Sequence, residues 1–508
     1  MKLNGGFNVK KTITINSKNV IKTQKNFWNN FLFHPTDGVE DDWGYKILKH
    51  ISEDKAAKNV RIYSMFEDIV SIDENGNFKY DFTLNDIRID RLLECGFTPL
   101  IAYGVVPACI ALDPNMNNGV SHNAKRYKGK KYITSIPKDY SLWEEICYEY
   151  TKHIVERYGI EEVSKWHIQC LNEPDSPLFF LPYATPEERN REYFKLYCAF
   201  ERGVNRVSRE IKIGGPTVSG VEDIYLLDDF LKNVTENNIR LSYVAVHAYG
   251  NVPWMIRNGS KPFAVANHFD RIHIYRDIIK KYYPQGIEFV VDEWGACTNG
   301  DREMTEFPEL EFRETPKFAA YFMNMIAQYI HSEEIIPSIL MICLSGQHTM
   351  KAEFEGFRNF FSLSFIKKPI YNAHILASKL YESILEFSSD VENLAVIPTK
   401  NDDGAVSIML SHASEDFADD ISPVNDVLEI HGIEGEKEIS IWTIDDNNTF
   451  PYGKMKECGF SEPLTAEQIE FLKNESNLTP KKYKVSASGT ISIDVQISGN
   501  GIMLVEVK

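Results

Sequence analysis

WHIQCLNEP, residues 166–174, is a short apolar run that stops abruptly at Asn172-Glu173-Pro174. Its length suits a buried strand, and a carboxylate at the end of such a strand is neither core nor ordinary solvated surface. The same theme, an apolar run followed by a longer stretch of helical period, recurs through the central chain. Counting such runs gives eight: NFLFH at 30–34, VRIYSMF at 60–66, TPLIAYG at 98–104, WHIQCL at 166–171, IKIGG at 211–215, YVAVHAY at 243–249, IEFVVDE at 287–293 and SILMICL at 338–344. Eight strands alternating with helices predict an α/β fold, a closed parallel (β/α)8 barrel, in which reactive groups gather at the carboxyl ends of the strands.

The helices between the runs carry start signals. Ser141-Leu-Trp-Glu144 has the form of a capping box, and Thr185-Pro186-Glu187-Glu188 combines a cap residue, a first-turn proline and first-turn acids. After about residue 385 the pattern changes to short alternating runs, AVSIMLS at 405–411, EISIWTI at 438–444, TISIDVQI at 490–497 and IMLVEV at 502–507, which read as antiparallel strands of a β-sandwich. VKKTITI at 9–15 alternates in the same way and is expected to pair into it. The expected divisions are thus 1–20 for the N-terminal strand, 21–385 for the barrel and 386–508 for the sandwich, whose exposed strands leave room for a homo-oligomer.

The formal net charge of -18 disfavours nucleic acid as a partner, because that binding is driven by Lys and Arg neutralising phosphates. A neutral substrate fits better. The eight cysteines are scattered with no CxxC pair, so they read as reduced thiols. MKLNGGFNVKKTITI lacks the apolar run of a secretory signal and no later segment approaches a membrane span; the expectation is a cytoplasmic protein without a membrane partner. No GxGxxG, P-loop or nucleophile-elbow motif is present, and no cofactor is expected. His268 and His273 lie five apart with no third ligand nearby in sequence, so no metal site is expected.

Two runs end in carboxylates: Glu173 closes the fourth and Asp292-Glu293-Trp294 closes the seventh. Cleaving a glycosidic bond through a covalent intermediate takes two carboxyl groups about 5–5.5 Å apart, one giving a proton to the leaving oxygen while the other attacks the anomeric carbon. Glu173 and Glu293 are the candidates for that pair.

Together with FWNNF at 27–31, NVRIYSMFEDI at 59–69, KGKKYITSIPKDYSLWEEI at 128–146, ERYGIEEVSKWHIQCLNEPD at 156–175, KIGGPTVSG at 212–220, VAVHAYG at 244–250, FVVDEWG at 289–295 and KKPIYNAHILASKL at 367–380, these residues resemble glycoside hydrolase family 39. That family holds β-xylosidases and α-L-iduronidases within the clan of barrel glycosidases whose acid/base and nucleophile sit on strands four and seven. The resemblance implies a retaining, exo-acting, β-xylosidase-like glycosidase acting on an oligosaccharide or glycoside, with Glu173 as acid/base and Glu293 as nucleophile. It implies further that Asn172 bonds the sugar 2-hydroxyl, that Arg61 keeps the nucleophile ionised, and that His247, Tyr249 and Trp294 line the glycone pocket, with Tyr249 orienting Glu293. An exo site should be a blind pocket, closed here by the long loop after Gly104.

The chain also departs from the pattern. Tyr63-Ser64-Met65 stands where family β-xylosidases carry a histidine and glycine, Asp292 stands where they usually carry Thr or a related residue, and ICLSGQHT at 342–349 lacks an expected tryptophan. Other glycones, an α-L-arabinoside, a β-galactoside or a uronide, therefore stand beside xylose, and a non-catalytic carbohydrate-binding barrel is the alternative of another class, against which the presence of both Glu173 and Glu293 argues.

Overall fold

The computed structural model describes residues 10–33, 38–117, 132–220, 225–250, 264–298, 302–332, 336–345, 350–415 and 421–508. Residues 118–131 of the loop after Gly104 and residues 346–349 of the eighth run lie outside the described residues.

The strands, in chain order, are β1 (Thr12–Thr23), β2 (Asn30–Phe33), β3 (Asn59–Ser64), β4 (Val70–Ile72), β5 (Phe78–Tyr80), β6 (Thr98–Tyr103), β7 (His167–Cys170), β8 (Lys212–Val218), β9 (Tyr243–Tyr249), β10 (Glu288–Gly295), β11 (Ile339–Leu344), β12 (Ser383–Ser389), β13 (Leu394–Lys400), β14 (Val406–His412), β15 (Val424–Ile444), β16 (Lys481–Ile497) and β17 (Gly501–Val507). β2, β3, β6, β7, β8, β9, β10 and β11 close into a parallel barrel, one strand for each of the eight apolar runs. Buried Leu100, Tyr243, Ala245, Val290, Ile339 and Met341 cluster from four of these strands. Gly214 makes room for the largest of them, since a Cβ there would overlap the Tyr243 ring.

Two barrel strands are irregular where they end. β10 slips register against both neighbours after Val291, so that Asp292 is passed over in the pairing with β9; β8 slips in the same way at Thr217. Such bulges insert one unpaired residue and re-aim the side chains that follow. Beside them, Leu171, Glu173 and Thr217 hold left-handed backbone at φ 65°, 44° and 56°. Each costs on the order of 1 kcal/mol or more for a residue with a Cβ. Backbone hydrogen bonds hold them there, Leu171 N donating to Tyr103 O at 2.7 Å and Glu173 N to Thr217 O at 3.1 Å.

The helix starts differ in one place. Thr185 and Glu188 exchange both bonds of a capping box at the head of helix Pro186–Asn205. Helix Tyr140–Tyr158, however, is capped by Asp139, which accepts from Ser141 N, and not by Ser141. An Asp with extended backbone two residues earlier serves the first-turn donors and starts the helix sooner.

The chain falls into two compact units, Phe27–Asp301 with Ile335–His348, and Met1–Asn26 with Arg302–Glu334 and Thr349–Lys508. Part of the stretch 21–385 read as barrel thus belongs to the second unit. The reason is helix Pro316–His331, buried on nearly every side, which packs on β13, β14, β17 and helix Pro369–Ala377. The strands of this unit form one seven-stranded sheet in the order β1-β12-β13-β14-β17-β15-β16. β1 pairs antiparallel with β12 and parallel with the first half of β15, whereas the second half of β15 pairs with β17. The sheet therefore closes back on itself through β15, around a core that includes Ile13, Ile15, Leu410, Leu428, Ile493 and Val505.

At the amino ends of the barrel strands, His167 Nε2 and Ser338 Oγ both lie 2.9 Å from Glu288 Oε1, while Lys212 Nζ lies 3.2 Å from Oε2. Burial works against this carboxylate, but the His167 hydrogen bond and charge, Lys212 and Ser338 outweigh it and hold the carboxyl down to about 2. The folded group binds its proton more weakly than the unfolded one, near about 4.3. Its stabilisation is therefore complete above that pH and is lost as pH falls toward 2. Glu288→Gln is expected to lower the free energy of unfolding by about 1 kcal/mol at pH 7, a modest figure because the cluster is partly exposed. In urea unfolding, the gap between the two proteins should narrow at pH 3.

Candidate active site

The site lies at the carboxyl ends of the barrel strands and is organised by Arg61, the third residue of β3, which is fully buried. An isolated buried guanidinium is costly, so it must be surrounded by acceptors and opposite charge. Nη1 donates to Glu293 Oε1 at 2.6 Å, Nη2 donates to Asn172 Oδ1 at 2.7 Å, and Nε lies 3.1 Å from Asp292 Oδ2. Burial pulls against its charge, but Asp292, Tyr63 and Glu293 outweigh that and bind the proton more tightly still. Regular alternation would send Asp292 and Glu293 to opposite faces of β10. The bulge in that strand lets both reach the one guanidinium.

Glu293 is held from several sides. Tyr249, from β9, donates to Oε2 at 2.6 Å, and the Tyr63 hydroxyl lies 3.0 Å from Oε1. These donors, with Arg61, favour the ionised carboxylate. Tyr63 is also 2.8 Å from Asn172 Oδ1, so its single proton is shared between two acceptors. Burial raises the phenol well above its ordinary value, keeping it a donor. With Oδ1 of Asn172 taken up by Arg61 and Tyr63, the amide NH2 is the group it offers elsewhere.

Glu173 keeps partial exposure, and its Oε1 pairs with His247 Nδ1 at 2.7 Å. The same ring nitrogen is 3.6 Å from Glu293 Oε2, and Nε2 is 3.7 Å from Asp292 Oδ2. Burial alone would strip the proton from His247; Glu293, Asp292 and the hydrogen bond to Glu173 outweigh it and push the imidazole up to about 10. Asp292 Oδ2 also accepts from Gln169 Nε2 at 2.8 Å.

Arg61, Asn172, Glu173, His247, Tyr249 and Glu293 are thus brought together in one linked cluster. Trp294 follows on β10 and, like Arg61 and His247, is fully buried. Tyr63, Asp292 and Gln169 belong to the same network without having been picked out as site residues. A signal for Tyr63 was available, because it stands two residues beyond Arg61 on one strand and shares its face. His268 lies behind β9 and outside this cluster: it is buried, bonds the Ala248 carbonyl at 3.0 Å, and is pushed down to about 3 by burial, so it is a neutral structural ring.

Ligand atoms of Glu173, His247 and Glu293 all lie within 4.8 Å of one another, a spacing that a metal ion could use. The guanidinium of Arg61 and the hydroxyls aimed at Glu293 oppose a further cation there. What the arrangement offers is two carboxylates in very different settings: one clamped among donors and one beside an imidazole facing open space.

Comparison with known proteins bears on the family and the fold. The model of the glycosyl hydrolases family 39 matches residues 11–492. A β-xylosidase of Caldicellulosiruptor saccharolyticus is 27% identical over 515 residues, covering 98% of each chain. Among solved structures, a monomeric β-xylosidase from Caulobacter crescentus CB15 matches with a TM-score of 0.80 at 17% identity, covering 98% of this chain and 99% of that one. A GH39 enzyme from Xanthomonas axonopodis pv. citri matches with a TM-score of 0.81 at 16% identity, covering 100% and 99%.

Because Tyr63 supplies a proton to both Asn172 and Glu293, Tyr63→Phe should lower kcat/KM on a turned-over aryl glycoside by about 10- to 100-fold, the worth of one or two buried charge-assisted hydrogen bonds. Thermal unfolding should show the fold retained.

Proposed function

Because the chain belongs to the glycosyl hydrolases of family 39 and is therefore a glycosidase, we propose that it is a retaining, exo-acting enzyme that works by double displacement on β-D-xylosides or closely related glycosides. The observation that carries the reading is the pair of carboxylates at the ends of the fourth and seventh barrel strands, with oxygens within 4.8 Å of each other. One oxygen of each carboxylate so close to the other supports direct attack on the sugar, for which the two carboxyl groups stand about 5–5.5 Å apart.

In the first step Glu293 attacks the anomeric carbon as the bond from that carbon to the leaving oxygen breaks, and Glu173 gives its proton to that oxygen. In the second, Glu173 takes a proton from water, the water oxygen bonds the anomeric carbon, and the ester to Glu293 breaks. Arg61, Tyr63 and Tyr249 hold Glu293 ionised and aimed, which is the state a nucleophile needs. The Asn172 amide is placed to donate to the 2-hydroxyl, a contact that strengthens as positive charge develops on the ring. His247 and Trp294 complete the glycone side.

A second reading changes the glycone and keeps the mechanism. Tyr63 puts a phenol into the site where family β-xylosidases carry histidine, which favours testing an α-L-arabinoside, a β-galactoside and a uronide beside the xyloside. The free state of all eight cysteines supports a reducing, cytoplasmic setting. Among the described residues no helix is long and apolar enough to cross a membrane.

A panel of aryl glycosides assayed with the wild type and with Glu293→Ala tests activity and glycone together. The variant should lose about 10,000-fold or more in kcat for every leaving group. Glu173→Ala should lose substrates with poor leaving groups, keep formation of the intermediate from 2,4-dinitrophenyl glycosides, and regain turnover of these on adding azide. Proton NMR of the nascent product should show retained configuration; inversion would sink the two-step mechanism.

A further inference from the structure

Asp292 is not one of the two carboxylates that the reaction requires, yet it is fully buried among the groups that are. Its Oδ2 meets Arg61 Nε at 3.1 Å, Gln169 Nε2 at 2.8 Å and His247 Nε2 at 3.7 Å. The other ring nitrogen of His247 faces Glu173 at 2.7 Å and Glu293 at 3.6 Å. Both nitrogens of one buried imidazole therefore lie within ion-pair distance of carboxylate oxygens. A neutral ring has one N–H and one lone pair, and would aim that lone pair at a carboxylate where little water screens the repulsion. Only the imidazolium suits both sides.

Charge counting gives the same result. Glu173, Asp292 and Glu293 bring three carboxyl groups against the one guanidinium of Arg61. Glu293 is tied to Arg61, Tyr63 and Tyr249, and Asp292 to Arg61 and Gln169, so the balancing positive charge falls to the imidazole of His247. The remaining ionisable neighbours include Asp175, whose carboxyl is raised to about 6 by burial and the charge of Glu173, Arg271, which feels both carboxylates, and Tyr243, whose phenol lies within the field of Asp292. Asp175 accepts from Ser219 and Gly220, and on the helix Val265–Tyr282 behind β9, His268 bonds the Ala248 carbonyl and Arg271 the Ser219 carbonyl. Deleting the charge of Asp292 removes one of the charges that hold that proton on the imidazole.

We propose that Asp292 is a positioning residue for the acid step: as the buried counter-ion of His247, it sets the pH above which the Glu173–His247 pair loses the proton that the leaving oxygen must receive. Glu173 and His247 are in direct contact, and a negative charge beside them makes a proton held there harder to remove. In the first step Glu173 gives its proton to the leaving oxygen and is left as a carboxylate facing the imidazolium N–H; in the second it recovers a proton from water. His247 keeps its own proton throughout. The inference rests on the acid/base role proposed above for Glu173.

The test is the pH dependence of kcat/KM for Asp292→Asn, with a phenyl glycoside of the glycone that the aryl panel identifies. The basic limb should move to lower pH by about one unit or more. With the 2,4-dinitrophenyl glycoside, whose departure needs no proton, it should stay in place. A merely structural role would lower kcat/KM at every pH and move neither limb, and that result overturns the proposal. A measurement on the unaltered enzyme covers the case of a variant that does not fold. The 15N-histidine NMR signal missing from His247→Gln should be that of an imidazolium at pH 8; a neutral ring there overturns the proposal equally. Failure of azide to rescue Glu173→Ala would count against the acid/base reading itself, whereas rescue together with an unmoved basic limb counts against Asp292 alone.

Discussion

A single buried guanidinium constrains the whole catalytic end of the barrel. Arg61 has no access to water, so its charge persists only because Glu293, Asp292 and Asn172 are brought to it from two other strands. That requirement fixes more than the electrostatics. It demands that β3, β7 and β10 end at the same level, that β10 carry an extra residue, and that the backbone after β7 take up left-handed conformations to present Asn172 and Glu173. A closed barrel meets the first demand by construction, because its parallel strands share one carboxyl face. The other two are local departures from ideal geometry, and both occur where the chemistry is.

Much of this was legible in the sequence. The eight apolar runs coincide with the eight barrel strands because each is short, nearly continuous in apolar residues and bounded by polar punctuation, the mark of a strand buried on both faces. Glu173 and Glu293 stood out for the complementary reason, as charges at the ends of such runs. What could not be read was pairing across strands. In the sequence Asp292 is an ordinary variation beside Glu293, and only the bulge turns it inward; Gln169 is one polar residue in a strand. Tyr63 marked a departure from the family pattern, but its sharing of one proton between Asn172 and Glu293 is a fact of distances.

Boundaries were legible only where periodicity changes. The switch to alternating strands marks the second sheet, yet helix Pro316–His331 carries no sign of which unit it serves, because a helix that is apolar on all sides fits any core. The start of helix Tyr140–Tyr158 shows the same limit on a smaller scale. Asp139 and Ser141 are both good caps, and the choice between them is made by backbone conformation.

The bulge in β10 sets two kinds of fitness against each other. Seen only as a strand, residues 288–295 would improve if the one surplus residue were removed, since pairing with both neighbours would become continuous. Yet the side-chain period of a strand is two, so that repair would turn either Glu293 or Asp292 away from Arg61. The number of residues between Val291 and Trp294 is therefore as much a part of the active site as their identity. The tolerance to insertions and deletions found in surface loops ends at this point, where one step of chain length separates a better sheet from a working enzyme.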